Sequence, residues 1–146
     1  MQEANMVLNL HGEVPSNSAT NTHILNAEAT FLPHLVALHK RFPRLRIVLE
    51  HATTRDAIEC VKALGDTVAC TITAHHLALT VDDWAGQSWN YCKPVAKTPD
   101  DREALREIIR EGRCFTMYIL RTLTGKHNRS SSILFGFRLG ASSICF

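Results

Sequence analysis

Arg44–His51 reads RLRIVLEH, a short, nearly continuous apolar run that ends in a glutamate and a histidine. Runs of this kind are typical of strands in a parallel sheet, because such strands are buried on both faces. Met6–His11 is a second run that ends in a histidine, and Thr67–Thr73 is a third, followed shortly by His75 and His76. We therefore predict parallel strands at about residues 6–11, 44–51 and 67–73.

Helical patterns separate these predicted strands. Residues 26–41 carry apolar side chains on one stripe, which predicts a helix between the first two strands. Thr53 or Thr54 can cap a second helix over about residues 55–64, and Gly65 can end it.

A third helix is predicted after the last of the three strands. Thr98, Pro99 and two aspartates form a strong helix start, because a hydroxyl caps the first turn and acids favour the positive end of the helix dipole. The helix extends to about Glu111, and Gly112 ends it. Alternating strands and helices indicate an α/β fold with a parallel sheet, in which ligands bind at the carboxyl ends of the strands.

The composition of the 146 residues, 45% hydrophobic and 21% charged, is typical of a globular protein. It excludes a collagen, a coiled-coil rod and a disordered polyelectrolyte. No stretch approaches the ~20 apolar residues of a membrane span, so no membrane partner is expected. The five cysteines form no CxxC pair and no secretory leader precedes them, which predicts a reduced, cytoplasmic location.

Charge is distributed unevenly along the chain, whose net charge is +2. Residues 112–146 contain five Lys or Arg and no Asp or Glu. Within them, Phe115–Leu120 could form a further strand, and the remainder has no clear period. A basic tail can attract nucleic acid. This one lacks interleaved aromatic and basic residues and any groove-reading motif, so no nucleic-acid partner is expected.

His11 and His51 are candidate metal ligands, since imidazole suits zinc and adjacent parallel strands bring their ends together. The alternative is that each histidine is a hydrogen-bonded polar residue at a strand end, because zinc requires three or four ligands. Glu13 and Glu50 lie beside the histidines and could be outer-shell partners of a metal or ordinary polar neighbours.

Four short blocks follow one another along the chain. They are HGEV at His11–Val14, LEHATT at Leu49–Thr54, TAHHL at Thr73–Leu77 and KPVAK at Lys93–Lys97. In this order and spacing they resemble dihydroorotase. The resemblance is to the homodimeric, single-function type of bacteria and fungi, within the metal-dependent amidohydrolase superfamily, and it covers about residues 5–112.

The resemblance implies a partial (β/α)8 barrel of a zinc-dependent cyclic amidohydrolase. That enzyme interconverts (S)-dihydroorotate and N-carbamoyl-L-aspartate in de novo pyrimidine (UMP) biosynthesis. His11 and His51 match two histidines of the second of the family's two zinc ions, and His11 also lies against the substrate. Lys93 matches a position whose main chain contacts the substrate. His75 and His76 match a family block outside the zinc ligands and are expected to be structural residues at the barrel mouth.

Other elements of the family pattern are missing from this chain. The family's H-x-H pair and its carboxylated lysine would precede residue 1. Its catalytic aspartate, in a Gly-Ser-Asp-Ser-Ala-Pro-His block, would follow the helix that ends near residue 112. Residues 113–146 contain no aspartate. The resemblance therefore implies no catalytic residue in this chain and at most one weak zinc site.

These absences predict two regions. Residues 1–112 form a partial dihydroorotase-like barrel, and residues 113–146 form an atypical basic tail of frameshifted or intronic origin. The chain alone is then a truncated and inactive dihydroorotase. The alternative is a non-catalytic barrel fragment that acts as an interaction partner of a full-length copy. A homodimer is the family's expected assembly.

Overall fold

A five-stranded sheet forms the framework of the computed structural model, which describes residues 1–111 and the backbone of residues 115–119 and 134–137. The strands are β1 (Val7–His11), β2 (Arg46–Glu50), β3 (Val68–Thr73), β4 (Phe115–Ile119) and β5 (Leu134–Phe137). They lie in chain order across the sheet. β1 to β4 are parallel, whereas β5 runs antiparallel to β4.

The three predicted strands are confirmed and are slightly shorter than expected. Their register places Leu10 beside Leu49 and Leu49 beside Cys70, so the carboxyl ends of β1, β2 and β3 meet at one edge of the sheet. β4 confirms the strand suggested at Phe115–Leu120. β5 was not predicted, because its sequence has no clear period. The division of the chain at residue 112 stays a prediction.

Helices connect the parallel strands. They are α1 (Ala27–Arg41), α2 (Arg55–Leu64), α3 (Val81–Trp84) and α4 (Pro99–Arg110), with short 3-10 turns at Ser18–Thr20, Ala74–Leu77 and Ser88–Asn90. The three long helices coincide with the predicted ones. Within the part of the chain that the structure describes, no helix has the length and apolar character needed to cross a membrane.

Local sequence sets the helix ends. The Thr54 hydroxyl accepts a hydrogen bond from the backbone N–H of Ala57 (3.1 Å) and so caps α2. Gly65 ends the same helix at a φ of +81°, a conformation that favours glycine. Thr98 and Asp101 form a reciprocal capping box at the start of α4.

The helices cover one face of the sheet. Ile47 and Leu49 of β2 and Ile72 of β3 are fully buried, and they pack with Leu35 of α1 and Leu105 of α4. Burial of a large aliphatic side chain contributes roughly 1.5–3 kcal/mol, so this cluster is the main source of stability for the described residues.

The opposite face of the sheet is more open. Asn9 of β1 is exposed, and its neighbour in register, Val48 of β2, is only half-buried, as is Thr71 of β3. The expectation that the strands are buried on both faces is therefore wrong for β1 and β2, whereas β3 is buried on both faces except at Thr71. In a (β/α)8 barrel the helices lie outside and the other face of the sheet lines the interior. One-sided helix cover is therefore the arrangement expected of part of such a barrel.

Candidate functional site

The carboxyl ends of β1 and β2 bring two histidines together. His11 is the last residue of β1 and is in register with Glu50, the last residue of β2. His51 follows directly, at a positive φ of 44°. Its backbone N–H donates a hydrogen bond to Thr71 Oγ1 (2.9 Å), which holds this turn against β3.

The two imidazole rings face each other. His11 Nδ1 lies 3.1 Å from His51 Nε2, and the ring centroids are 4.8 Å apart in an edge-on arrangement. The His11 side chain is 53% exposed, so the pair opens to solvent. Burial lowers the pKa of His51, and the neighbouring His11 lowers it further. His51 is therefore neutral at pH 7, as a metal ligand must be.

A buried ion pair lies beside the histidines. Glu13 Oε2 is 3.5 Å from His11 Nε2, and Glu13 Oε1 is 3.5 Å from Lys97 Nζ. Lys97 is almost fully buried and donates hydrogen bonds to the carbonyl oxygens of Ile24 (2.8 Å) and Val95 (3.1 Å). The ammonium group therefore donates two hydrogen bonds to carbonyl oxygens and has the Glu13 carboxylate as its ion-pair partner.

Glu28 is a second buried carboxyl group near Lys97. It accepts hydrogen bonds from the backbone N–H of Thr53 (2.9 Å) and from the hydroxyl of Thr54, which joins the start of α1 to the start of α2. Burial raises the pKa of Glu28 to about 7, although these hydrogen bonds and Lys97 act in the opposite direction. Burial also lowers the pKa of Lys97, and the carboxyl groups of Glu13 and Glu28 oppose that shift.

Gly12 allows the chain to leave β1 close to β2. A Cβ atom at this position would lie 2.4 Å from Cδ1 of Leu49, a side chain that is itself fully buried. Glycine is therefore required here for space, and this close approach sets the positions of His11 and Glu13 on either side.

His75 and His76 follow β3, and His76 contacts the loop at Pro94 rather than the pair of His11 and His51. His76 is buried, and its Nε2–H donates a hydrogen bond to the Pro94 carbonyl oxygen (2.9 Å). Burial, with the adjacent His75, lowers the pKa of His76 to about 3, so its ring is neutral at pH 7. The two rings are in contact, with centroids 4.0 Å apart. These contacts support the expected structural role.

Lys93 is exposed and is joined to Pro94 by a cis peptide bond. Among the hydrogen bonds and ion pairs of residues 1–111, none links Lys93 to His11 or His51. The structure thus brings His11 and His51 together, whereas a contact between the Lys93 main chain and a substrate stays a prediction.

The histidine pair fits two positions of a zinc site. Tetrahedral ligands with bonds of ~2.0–2.1 Å lie roughly 3.3 Å apart. The observed separation of His11 Nδ1 and His51 Nε2 is 3.1 Å. In the described part of the chain, no three His, Cys, Asp or Glu side chains converge on one point. The pair therefore offers two donors of the three or four that zinc uses.

Two residues near the site were not identified from the sequence as members of it. Lys97 is the last residue of the block KPVAK. Its position after Pro94, Val95 and Ala96 could have indicated a buried ion pair, because a lysine among buried apolar residues needs a partner. Glu28 lies in the first turn of α1, where an acid is readily explained by the helix dipole.

Comparisons with known proteins agree with the sequence blocks. The chain is 65% identical over 112 residues to a dihydroorotase of Mycosarcoma maydis, a match that covers 77% of this chain and 28% of that protein. It is 61% identical over 107 residues to a probable dihydroorotase of Schizosaccharomyces pombe, covering 73% and 31%. The chain thus spans about a third of the length of these relatives. No family model matches it.

Solved structures give the same result. The fold is similar to that of a Saccharomyces cerevisiae dihydroorotase in complex with 5-fluoroorotic acid, with a TM-score of 0.71 and 49% identity over 77% of this chain and 34% of that one. For a Campylobacter jejuni dihydroorotase the TM-score is 0.69 and the identity 36%, over 81% and 34%. An Arthrobacter aurescens L-hydantoinase shares the fold, with a TM-score of 0.60 at 16% identity. The predicted resemblance and the α/β barrel-type fold are confirmed.

Proposed function

We propose that this chain, a homologue of the dihydroorotases that spans about a third of their length, carries two ligands of a dihydroorotase zinc site. The ligands are His11 through Nδ1 and His51 through Nε2. The observation that supports this assignment best is the 3.1 Å approach of these two nitrogens at the carboxyl ends of adjacent parallel strands.

The residues around the pair are suited to this role. A zinc ion supplies a Lewis acid that polarises the carbonyl group of a cyclic amide. His51 is neutral at pH 7 and presents Nε2 toward His11. Glu13 lies at the outer nitrogen of His11, where a carboxylate orients a ligating ring.

The substrate of the whole enzyme would meet the exposed side of this site. His11 is the more exposed of the pair and would lie against the substrate carbonyl, and the Lys93 main chain would contact the bound molecule. The substrates are (S)-dihydroorotate and N-carbamoyl-L-aspartate, which places the reaction in pyrimidine biosynthesis. A cytoplasmic location and a homodimer belong to the same proposal.

The chain by itself is proposed to be inactive. Residues 113–146 contain no aspartate that could serve as the family's base, and the described residues offer two metal donors. One weak and exchangeable zinc site is therefore expected, with no turnover. Residues 113–146 would be a tail of separate origin, and the transcript across residues 105–146 would show whether another reading frame restores the family's aspartate block.

A non-catalytic role is the second candidate. β1 is one of the two edge strands of the described sheet, since it pairs with β2 alone. An open strand edge is a template for pairing with another chain. A full-length copy of the enzyme would be the partner, and association without zinc dependence would favour this role over the first.

The proposed zinc site is tested by competition titration of the 146-residue chain with zinc. The wild-type chain is expected to bind one zinc ion, and His11→Ala and His51→Ala are each expected to abolish that binding. His34→Ala is the matched control, because His34 is an exposed histidine of α1. Equal binding by all four proteins would refute the assignment.

A further inference from the structure

Lys97 is a buried cation with a specific orientation. Its side chain is 2% exposed, and its Nζ atom faces the carbonyl oxygens of Ile24 and Val95 and the carboxylate of Glu13. Desolvation of an ammonium group is costly, so a buried lysine is retained where its charge is used. The two hydrogen bonds to carbonyl oxygens fix the position of the ammonium group. The Glu13 carboxylate lies on its remaining side, at ion-pair distance.

Glu13 stands between two donors. Its side chain is 9% exposed, with Oε1 at 3.5 Å from Lys97 Nζ and Oε2 at 3.5 Å from His11 Nε2. Oε1 is buried without a hydrogen bond from any described residue, so the ammonium group of Lys97 is the positive charge that stabilises it there. An ionised carboxylate only accepts hydrogen bonds. Each oxygen of Glu13 therefore faces one nitrogen that can carry a proton, Oε1 that of Lys97 and Oε2 that of His11.

This arrangement selects one tautomer of His11. A neutral imidazole carries its proton on one nitrogen only, and a carboxylate opposite Nε2 favours the proton at Nε2. Nδ1 then keeps its lone pair, and Nδ1 is the atom that lies 3.1 Å from His51 Nε2. In the metal-free chain this lone pair accepts the hydrogen bond from Nε2–H of His51, and it is the electron pair that a metal ion would use.

We propose that Lys97 is a positioning residue that acts through Glu13 to hold His11 in its Nε2–H tautomer, with Nδ1 available to a metal ion. The role in metal binding rests on the proposed function, whereas the tautomer itself is a property of the metal-free chain. A lysine that only fastened the loop at Ile24 would affect folding and leave the tautomer of His11 unchanged.

The test is long-range ¹H–¹⁵N NMR of the metal-free 146-residue chain at about pH 8, where imidazoles are neutral. The spectrum distinguishes protonated from unprotonated ring nitrogens. The wild-type chain should show His11 as the Nε2–H tautomer. Glu13→Gln offers one acceptor oxygen for two donors, so His11 should shift toward the Nδ1–H form. Lys97→Met removes the charge that holds the Glu13 carboxylate opposite His11, so it should cause the same shift, and Lys97→Arg, which keeps that charge, should retain the wild-type form.

Glu28→Gln is the matched control, because Glu28 also faces Lys97 electrostatically but has no contact with His11. It should leave the His11 tautomer unchanged.

Zinc affinity should fall about tenfold or more in Glu13→Gln and Lys97→Met, as for other outer-shell partners. An unchanged tautomer in folded Glu13→Gln or in folded Lys97→Met would overturn the proposal, and the Glu13→Gln result decides it if Lys97→Met does not fold. Absence of zinc binding by the wild-type chain, with the tautomer as expected, would overturn the proposed function and leave the tautomer assignment in place.

Discussion

Burial sets the protonation of the side chains around the site. His51 and His76 are neutral at pH 7 because desolvation lowers their pKa values. For the acidic Glu28 the same cause acts in the opposite direction, and burial raises its pKa to about 7. Lys97 is buried near both Glu13 and Glu28. Each of these groups therefore makes the stability of the chain depend on pH, with a sign that follows from the direction of its shift.

Glu28→Gln is expected to remove one such dependence. The pKa of Glu28 rises from 4.5 to about 7 on folding, so its contribution to stability is fully present below pH 4.5 and is lost as pH rises through about 7. The loss amounts to about 3 kcal/mol. The free energy of unfolding of the wild-type chain, relative to Glu28→Gln, should fall between pH 4.5 and 7 in urea titrations.

The comparison of these two proteins isolates Glu28 from the histidines. His76, with a pKa lowered to about 3, has the opposite effect: its contribution is present above pH 6.5 and is lost as pH falls toward 3. That effect is common to both chains and cancels in their difference. Parallel pH profiles for the wild-type chain and Glu28→Gln would contradict the assigned pKa.

At the residue scale, the sequence drew attention to the histidines that follow strand ends, whereas their role as metal ligands stays a prediction. His11 and His51 were singled out because each ends an apolar run, and the structure brings them together. Lys97 and Glu28 could not be placed in the same way. Their contacts join segments that are 73 and 25 residues apart, and no local pattern encodes such pairs.

At the scale of elements, the predicted strands and long helices agree with the structure because local signals were strong. Thr54 and Gly65 mark both ends of α2, and Thr98 marks the start of α4. The short helix α3 was not predicted, since four residues carry too little periodicity. The open face of β2 was also missed, because Val48 continues an apolar run whether or not a helix covers it.

Thr54→Ala is expected to destabilise the chain by about 1–2 kcal/mol. It removes both the cap of α2 and the hydroxyl that donates to buried Glu28. Thr30→Ala is the control, because Thr30 is an exposed residue of α1 and should change stability by less than ~0.5 kcal/mol. Equal unfolding midpoints for the two variants in urea would show that Thr54 has no such role.

Gly12→Ala tests the contact between the loop after β1 and the strand β2. The added methyl group would lie 2.4 Å from Leu49 Cδ1, and overpacking of this kind costs about 1–3 kcal/mol. Leu49→Ala should relieve the clash, so the double variant should be less destabilised than the sum of the single variants. Additive free energies of unfolding would mean that the clash does not control this turn.

At the scale of the whole molecule, the described chain is a one-sided sheet. Helices cover one face, the other face is partly open at Asn9 and Val48, and β1 forms an edge. This geometry suits part of a barrel, in agreement with a chain that covers about a third of the length of its relatives. The one-sided cover could not be foreseen from any single strand, because it depends on which elements surround the sheet.

No turnover of dihydroorotate is expected from the 146-residue chain alone. The described residues offer two candidate metal donors, and residues 113–146 contain no aspartate that could serve as the family's base. A coupled assay in either direction, with zinc present, should give the rate of the buffer control. Zinc-dependent turnover that His11→Ala abolishes would show that the chain holds a complete site and would refute the proposed inactivity.

The most direct measurement of the central claim is zinc K-edge X-ray absorption on the zinc-loaded chain, which counts imidazole ligands. We expect two histidines bound to one zinc ion, and one histidine in His11→Ala or in His51→Ala if any zinc is retained. His34→Ala should match the wild-type spectrum. A histidine count that is the same in the wild-type chain and in the double variant His11→Ala with His51→Ala would contradict the account.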